Sequence, residues 1–301
     1  MSFLQKIFRN VPSTEVLSRR IYYSKLYRKL ISKKKVRRSS KNIENNNFEN
    51  VKSHIRTLGI VKGDLLILHS AYGELERFKS SPISIINFLR ELVGEEGTIV
   101  MPAFYKTDET KTIKLNSNVC TTGMLPAIFI RMKGVYRSSF PVNALAAQGP
   151  KANVMFREPP ELDLAHGVGS AWHYCAENQA KILLLGPKAS KSLTMVHVAE
   201  DVLDSNWPIK KWYEAVHFNI NKQGSTLKKT VRVRREWWAK FMVSEYRSKW
   251  LEENGLLVET TIEGLNVAYV ADSKSLVDTL KINMVNRSVS FFRPPSKYWK
   301  S

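Results

Sequence analysis

Thr194, His197 and Glu200 stand three residues apart in the stretch LTMVHVAED. On a helix that spacing lines them along one side. A neutral imidazole beside a carboxylate can take a proton from an ammonium group, general-base help worth about 10²–10⁴-fold. A helix starting near Thr194 places His197 in the first turn, where the positive helix end disfavours the imidazolium. Glu200 pulls the other way, stabilising the charged ring while orienting it. The Thr194 hydroxyl, or backbone N–H groups beside it, would stabilise negative charge developing on a carbonyl oxygen. Together these groups suit acyl transfer from a thioester to an amine. A histidine and a glutamate at this spacing are more often a plain surface pair, so the motif needs its context.

The surrounding elements supply part of it. A buried strand, Lys181–Leu185, ends in Gly186-Pro187, and a helix follows over about Met195 to Leu203. Ligands of open α/β sheets gather beyond the carboxyl ends of strands, where loops and helix N-termini meet. Upstream, a helix over about Glu49–Thr57 leads through a Gly63-Asp64 turn into an apolar strand, Leu65–His69. A helix over Pro82–Val93 leads through Gly94 and Gly97 into the strand Thr98–Met101. Strands are expected near Thr230–Arg235, Leu257–Ile262 and Leu265–Val270, and helices over Trp237–Glu252 and Lys274–Met284. This alternation predicts an α/β fold with a central mixed sheet covered by helices. Lys228 to Arg235 alternates basic and apolar residues, as an edge strand guarded by charge would.

Composition narrows the function classes. Two distant cysteines, Cys120 and Cys175, form no CxxC pair, and six histidines show no HExxH spacing, so neither a disulfide framework nor a metal site is indicated. No apolar run approaches the roughly 20 residues of a membrane-spanning helix, and the start MSFLQKIFRN does not resemble a secretory signal. The expected location is cytoplasmic, including the inner membrane face. Net charge is +20, and residues 1–40 hold twelve basic residues against one acid, Glu15, leaving +9 for the remainder. Residues 1–47 therefore read as a basic helical extension and linker, and 48–301 as the main domain. A helix is expected over about Thr14 to Ser32, with Val16, Leu17, Ile21, Tyr22, Leu26, Leu30 and Ile31 forming an apolar stripe. Such a helix lies on an anionic membrane through residues 14–38, binds an acidic partner, or packs on its own domain. Nucleic acid is a weaker reading, because no recognisable binding motif is present.

In order along the chain, LGIVKGDLLILHSAYGEL, GEEGTIVMPAF, TTGMLPAIFIRMKGVYRSSFP, ALAAQGPKA, HGVGSAW, LTMVHVAE and ADSKSLVDTLKINMVNRSVSFFRPP resemble successive segments of the aminoglycoside 3-N-acetyltransferase family. The resemblance implies the antibiotic N-acetyltransferase fold, acetyl-CoA as co-substrate, and direct transfer to an amine without an acyl-enzyme. It implies His197 as base, Glu200 as its partner and Thr194 as part of the signature. It also implies His69 and Ser70 beside the cofactor, Arg137 and Ser138 near the CoA phosphates or thioester, and Gly167, Gly169 and Ser170 shaping the cofactor tunnel. A guanidinium suits phosphate, although Arg137 would equally serve in an ordinary ion pair and the glycines in an ordinary turn.

The chain departs from the family pattern at four positions. Phe140 replaces the histidine of Arg-Ser-x-His-Pro, Ala71 and Ala144 stand where serines are common, and Ala171 replaces the proline after Gly-x-Gly-Ser. These changes bear on the acceptor. A positive body suits a phosphate-bearing amino sugar of surface-polysaccharide or O-antigen assembly. An aminoglycoside acceptor is the alternative, and a non-enzymatic basic binding or scaffold protein stands behind both.

Overall fold

The computed structural model describes residues 2–24, 47–222, 224–286 and 291–300. Among these, ten strands form: β1 (Leu65–Ser70), β2 (Thr98–Pro102), β3 (Thr112–Lys114), β4 (Tyr136–Arg137), β5 (Leu145–Gln148), β6 (Lys181–Leu185), β7 (Tyr213–Lys222), β8 (Ser225–Arg234), β9 (Val258–Ile262) and β10 (Leu265–Val270). Seven of them make a mixed sheet in the order β4-β5-β2-β1-β6-β10-β9. Its centre, β2-β1-β6, is parallel, and the flanking strands run antiparallel. Central strands covered on both faces carry continuous apolar runs, as Leu65–Leu68 and Ile182–Leu185 do.

Side chains alternate across this sheet. Leu65, Ile67, Ile182 and Leu184 face one apolar layer, which contains the helices Ala171–Glu177, Val196–Leu203 and Ser273–Val285. Leu66, Leu68, Leu183 and Leu185 face the other, covered by the helices Phe48–Arg56 and Pro82–Val93. Each fully buried aliphatic side chain contributes about 1.5–3 kcal/mol relative to exposure. The sheet and helix layers are those the sequence predicts.

A second sheet, β3-β7-β8, goes beyond the sequence-based expectation. The β7–β8 hairpin is ten residues long on each arm, with Tyr213 opposite Arg234 and Lys222 opposite Ser225. β8 is its edge strand, in keeping with the basic alternation. The helix anticipated over Trp237–Glu252 is instead a 3₁₀ stretch, Glu236–Phe241, followed by a helix, Ser244–Glu253. Between them Met242 bridges Phe292 and the Val243 N–H donates to the Phe291 carbonyl, so tertiary pairing draws the chain out of the helix.

The N-terminal segment forms two helices, Phe3–Asn10 and Pro12–Tyr22. The first begins with a capping box, in which Ser2 and Gln5 exchange side-chain and backbone hydrogen bonds. Both helices rest on the body through their polar side chains. Arg9 makes a two-pronged pair with Glu252 (3.0 and 2.7 Å), and Glu15 is buried against Ser244 and Glu245. The expected apolar stripe points away from the body: Leu17, Ile21 and Tyr22 are exposed, while Val16 alone of its described members packs on the core. Leu26, Leu30, Ile31 and most of the expected linker lie outside the described residues.

Candidate active site

β1 delivers His69 and Ser70 to the carboxyl end of the parallel strands, level with Leu184 and Leu185 of β6. Beyond β6 the chain turns at Gly186, whose φ of +98° lies in the left-handed region. A Cβ there would meet the Cβ and carbonyl oxygen of Ala71 at 3.1 Å, so the two strand exits touch as backbone. A cavity of about 240 Å³ opens at this point, lined by His69, Ser70, Phe104, Lys191 and Thr194 among others. A larger hollow of about 440 Å³ lies around Arg90, Gly97 and Gly149, at the opposite end of β2, and includes none of the histidines.

The helix Val196–Leu203 buries Val196, Val198, Ala199 and Leu203 in the core and keeps His197 at its open side. Thr194 does not cap this helix but lies one residue before the cap position. Met195 holds the cap position without a side-chain hydrogen bond, and the first turn closes through His197 N–H to the Thr194 carbonyl at 2.9 Å. The Thr194 hydroxyl touches only the Ser192 carbonyl, at 3.5 Å, and borders the cavity. His197 nevertheless falls in the first turn.

His197 Nδ1 and Glu200 Oε2 are 3.0 Å apart, with the imidazole 24% exposed and the carboxylate 2%. Burial lowers the basicity of the His197 ring, aided by the Arg234 guanidinium and by His166, against the pull of Glu200. Burial also opposes ionisation of Glu200, but the charges of His197, Arg234 and Arg247 outweigh it and hold the carboxyl below the usual carboxylate range. The stable arrangement is an ionised Glu200 accepting from Nδ1–H of a neutral ring, which leaves Nε2 as a free acceptor. Arg234, reaching in from β8, places Nη1 3.4 Å from both Nδ1 and Oε2. The two donors thus share one carboxylate oxygen.

A second histidine–carboxylate pair, missed in the sequence, lies beside the first. His166 Nδ1 is 2.9 Å from Asp201 Oδ2, and the Asp201 carboxylate also accepts from the His166 backbone N–H and the Tyr213 hydroxyl. Asn143, with φ +52°, sets its amide 3.2 Å from His166 Nε2 and its carbonyl under the Trp172 indole N–H. His69, Trp172, His166 and His197 form a chain of rings with centroids 5.7–6.1 Å apart. His69 is 6% exposed, its Nε2 has no partner, and burial pushes its imidazole down to about 4. The available signals were an Asp directly after Glu200 and a His before the Gly-x-Gly-Ser run.

The other anticipated residues hold loops together. Arg137 stacks 3.6 Å from the Tyr105 ring and donates to the carbonyls of Ala103, Ser117 and Val119, fixing one loop by three contacts. The Ser138 hydroxyl donates to Glu158 and accepts from Phe140 N–H. Glu158, also missed, receives the Ala171 N–H with its other oxygen, and burial raises its carboxyl above the ordinary value. Ser170 caps the helix Ala171–Glu177 by accepting from His173 N–H, and Gly167 and Gly169 form the turn that precedes it. Phe140 is buried with Leu162, Phe218 and Val231, and the Lys229 ammonium lies 5.2 Å from its ring.

The chain is similar to known proteins along most of its length. A family model described as aminoglycoside 3-N-acetyltransferase matches residues 67–284. Aminoglycoside N(3)-acetyltransferase IV of Salmonella sp is 26% identical over 239 residues, covering 79% of this chain and 87% of that protein. Aminoglycoside N(3)-acetyltransferase III of Acinetobacter baumannii is 28% identical, covering 70% and 73%. Among solved structures, a mutant of aminoglycoside acetyltransferase AAC(3)-IVa in complex with a gentamicin superposes with a TM-score of 0.70 at 22% identity, covering 85% and 95%. AAC-IIIb bound to CoASH superposes at 0.67 and 21% identity, covering 83% and 98%. At these identities the two superpositions speak for the fold.

Proposed function

Because the chain belongs to the aminoglycoside 3-N-acetyltransferase family, and so to the acyl-CoA-dependent N-acyltransferases, we propose that it acetylates an amine of an aminoglycoside-type amino sugar with His197 as base. The observation that carries this reading is the His197–Glu200 pair: Nδ1 is tied to a buried carboxylate while Nε2 is left to accept a proton. The cavity at the strand ends suits acetyl-CoA, since His69 Nε2 is buried without a partner and Lys191 offers charge to phosphates. His69, Ser70, Lys191 and Thr194 are the residues assigned to hold it. When bound, the donor supplies the activated carbonyl carbon.

His197 Nε2 removes a proton from the acceptor ammonium, freeing the nitrogen lone pair to bond to that carbon. Glu200 compensates the imidazolium so formed, and Arg234 limits how long it persists by favouring the neutral ring. The Thr194 hydroxyl, nearly unengaged, is available to the carbonyl oxygen. The nitrogen of the resulting adduct carries one proton more than an amide and gives it up to solvent, while His197 returns the first proton to the departing thiolate, so each transfer releases one proton. Arg137, Ser138, Gly167, Gly169 and Ser170 support the site by shaping its loops.

One observation favours a second acceptor. Three acids of this part of the fold are already engaged, Asp201 by His166 and Tyr213, and Asp163 and Asp204 by Arg232. A polycation would find little free negative charge there, whereas a chain with a net charge of +20 suits a phosphate-bearing amino sugar of surface-polysaccharide assembly. The relatives favour the aminoglycoside reading. Thiol release from acetyl-CoA across gentamicin, sisomicin and nucleotide-linked amino sugars decides between them. Turnover confined to the nucleotide sugars overturns the aminoglycoside reading, and no turnover of any amine overturns both.

For the N-terminal helices we infer contact with an anionic membrane surface. Phe3, Leu4, Leu17, Ile21 and Tyr22 are more than half exposed, beside exposed Lys6 and Arg20. Cationic residues near such a surface each contribute about 1 kcal/mol. Among the described residues no helix is long and apolar enough to cross a membrane. Co-sedimentation with phosphatidylserine-containing vesicles but not with pure phosphatidylcholine is expected; failure to sediment with either overturns it.

A further inference from the structure

The helix Ser244–Glu253 has no capping side chain of its own, since Val243 occupies its cap position. Its free N–H groups are met from 229 residues away in sequence. Glu15, 2% exposed, accepts from Ser244 N–H and Oγ–H with one oxygen and from Glu245 N–H with the other. Arg19 pairs with the same Glu15 at 2.8 Å and donates to Ser244 Oγ. The N-terminal helices also brace the loop that borders the cavity. Gln5 accepts from Lys188 at 3.1 Å, and Glu245 accepts from Ser190 at 3.0 Å. Gln5, Glu15 and Arg19 all precede the matched family region, which begins at residue 67.

One turn into that helix stands Arg247, only 4% exposed, with Nη1 buried and without a partner. Its foremost opposite charge is Glu200, whose Oε1 is likewise buried and without a partner. Both atoms are buried without a partner and no ion pair closes between them among the described residues, so the two charges act on each other through the low-dielectric interior, where a buried cation is tolerated only near an opposite charge. We propose that Arg247 is a positioning residue for Glu200, and that Glu15 fixes the helix that presents it, so that the N-terminal helices are a working part of the active site. The groups facing Glu200 are then His197 on its own helix, Arg234 from β8 and Arg247 from the braced helix. The charges acting on Arg247 are those of Glu200, Arg234, Glu15 and Arg19.

The proposal rests on His197 being the base, and its test keeps the two separable. Arg247→Gln removes a cation beside the dyad, which makes protonation easier, so the acid limb of the kcat profile should move up by roughly one pH unit. kcat should fall by roughly tenfold to a hundredfold, as for a misplaced catalytic group. KM for acetyl-CoA should change little, and Arg247→Lys should restore the limb. Glu15→Ala should lower kcat in the same direction with an intact fold by circular dichroism; it carries the test if Arg247→Gln does not fold. If His197→Ala abolishes transfer while Arg247→Gln and Glu15→Ala keep the native rate and acid limb, the positioning role is overturned and the base assignment stands. If His197→Ala keeps the native rate, the base assignment fails first.

Discussion

Replacing Glu200 with glutamine probes the site by changing one atom. In the native protein Oε2 lies 3.0 Å from His197 Nδ1 and 3.4 Å from Arg234, and the carboxylate is 2% exposed. A glutamine can turn its NH₂ toward Nδ1, which would move the ring proton to Nε2 and remove the free acceptor. The loss in kcat should be on the order of 10³, within the range for a general base held in the wrong tautomer. The same change leaves Arg234 and the buried Arg247 without their counter-charge. Breaking such a pair costs about 3 kcal/mol, or roughly 5 °C in Tm for a chain of this size. The sign with pH follows from Glu200 being held below the usual carboxylate range. Its contribution is complete above the unfolded carboxyl value and is lost as pH falls through the lower folded one. The gap in Tm between native and variant should therefore persist at pH 5 and close only in stronger acid. Thiol-release kinetics and thermal melts at pH 5 and 7 measure both effects. A kcat within threefold of native, with an unchanged melt, refutes the reasoning.

Burial holds His69 at about 4 against an ordinary 6.5, so between those values the unfolded chain binds the extra proton and stability falls with acid. Urea unfolding of the native protein and His69→Gln should show the native advantage shrinking by about 2 kcal/mol from pH 7 to pH 5. Phe140→His restores the common family residue into an apolar cluster beside Lys229; it should cost about 1–3 kcal/mol in urea unfolding, because the imidazole finds no partner among Leu162, Phe218 and Val231. Arg232→Ala removes pairs to Asp163 and Asp204 on a side chain that is 35% exposed. Its cost should be about 1 kcal/mol, smaller in high salt, with the transfer rate within threefold of native.

The central sheet was legible because β1 and β6 carry short continuous apolar runs bounded by turns, and their observed limits follow those runs. β7 was missed although Val216, Phe218 and Ile220 alternate as a strand requires; its exposed Glu214 and Ala215 blur the period at the start. The first helix carries its capping-box signal in Ser2 and Gln5, yet its basic, charge-broken run masks the helix behind them. The orientation of the N-terminal helices was not legible at all. An apolar stripe normally turns inward, but here the binding energy lies in Arg9, Glu15 and Arg19, whose partners are more than 200 residues away. Of the candidate site, Thr194, His197 and Glu200 could be singled out because their spacing coincides with the signature of the family the chain resembles, the spacing alone being too common to point to a site. His166 and Asp201 could not, because a 35-residue separation hides a contact that only the fold creates.

The central claim is that the His197 imidazole accepts the proton of the incoming amine. Single-turnover transfer by His197→Ala at pH 7, with acetyl-CoA affinity measured in parallel, tests it most directly. The expected result is a rate lower by about 10²–10⁴-fold with donor affinity within threefold of native. A single-turnover rate equal to the native one, with the same donor affinity, would contradict the account.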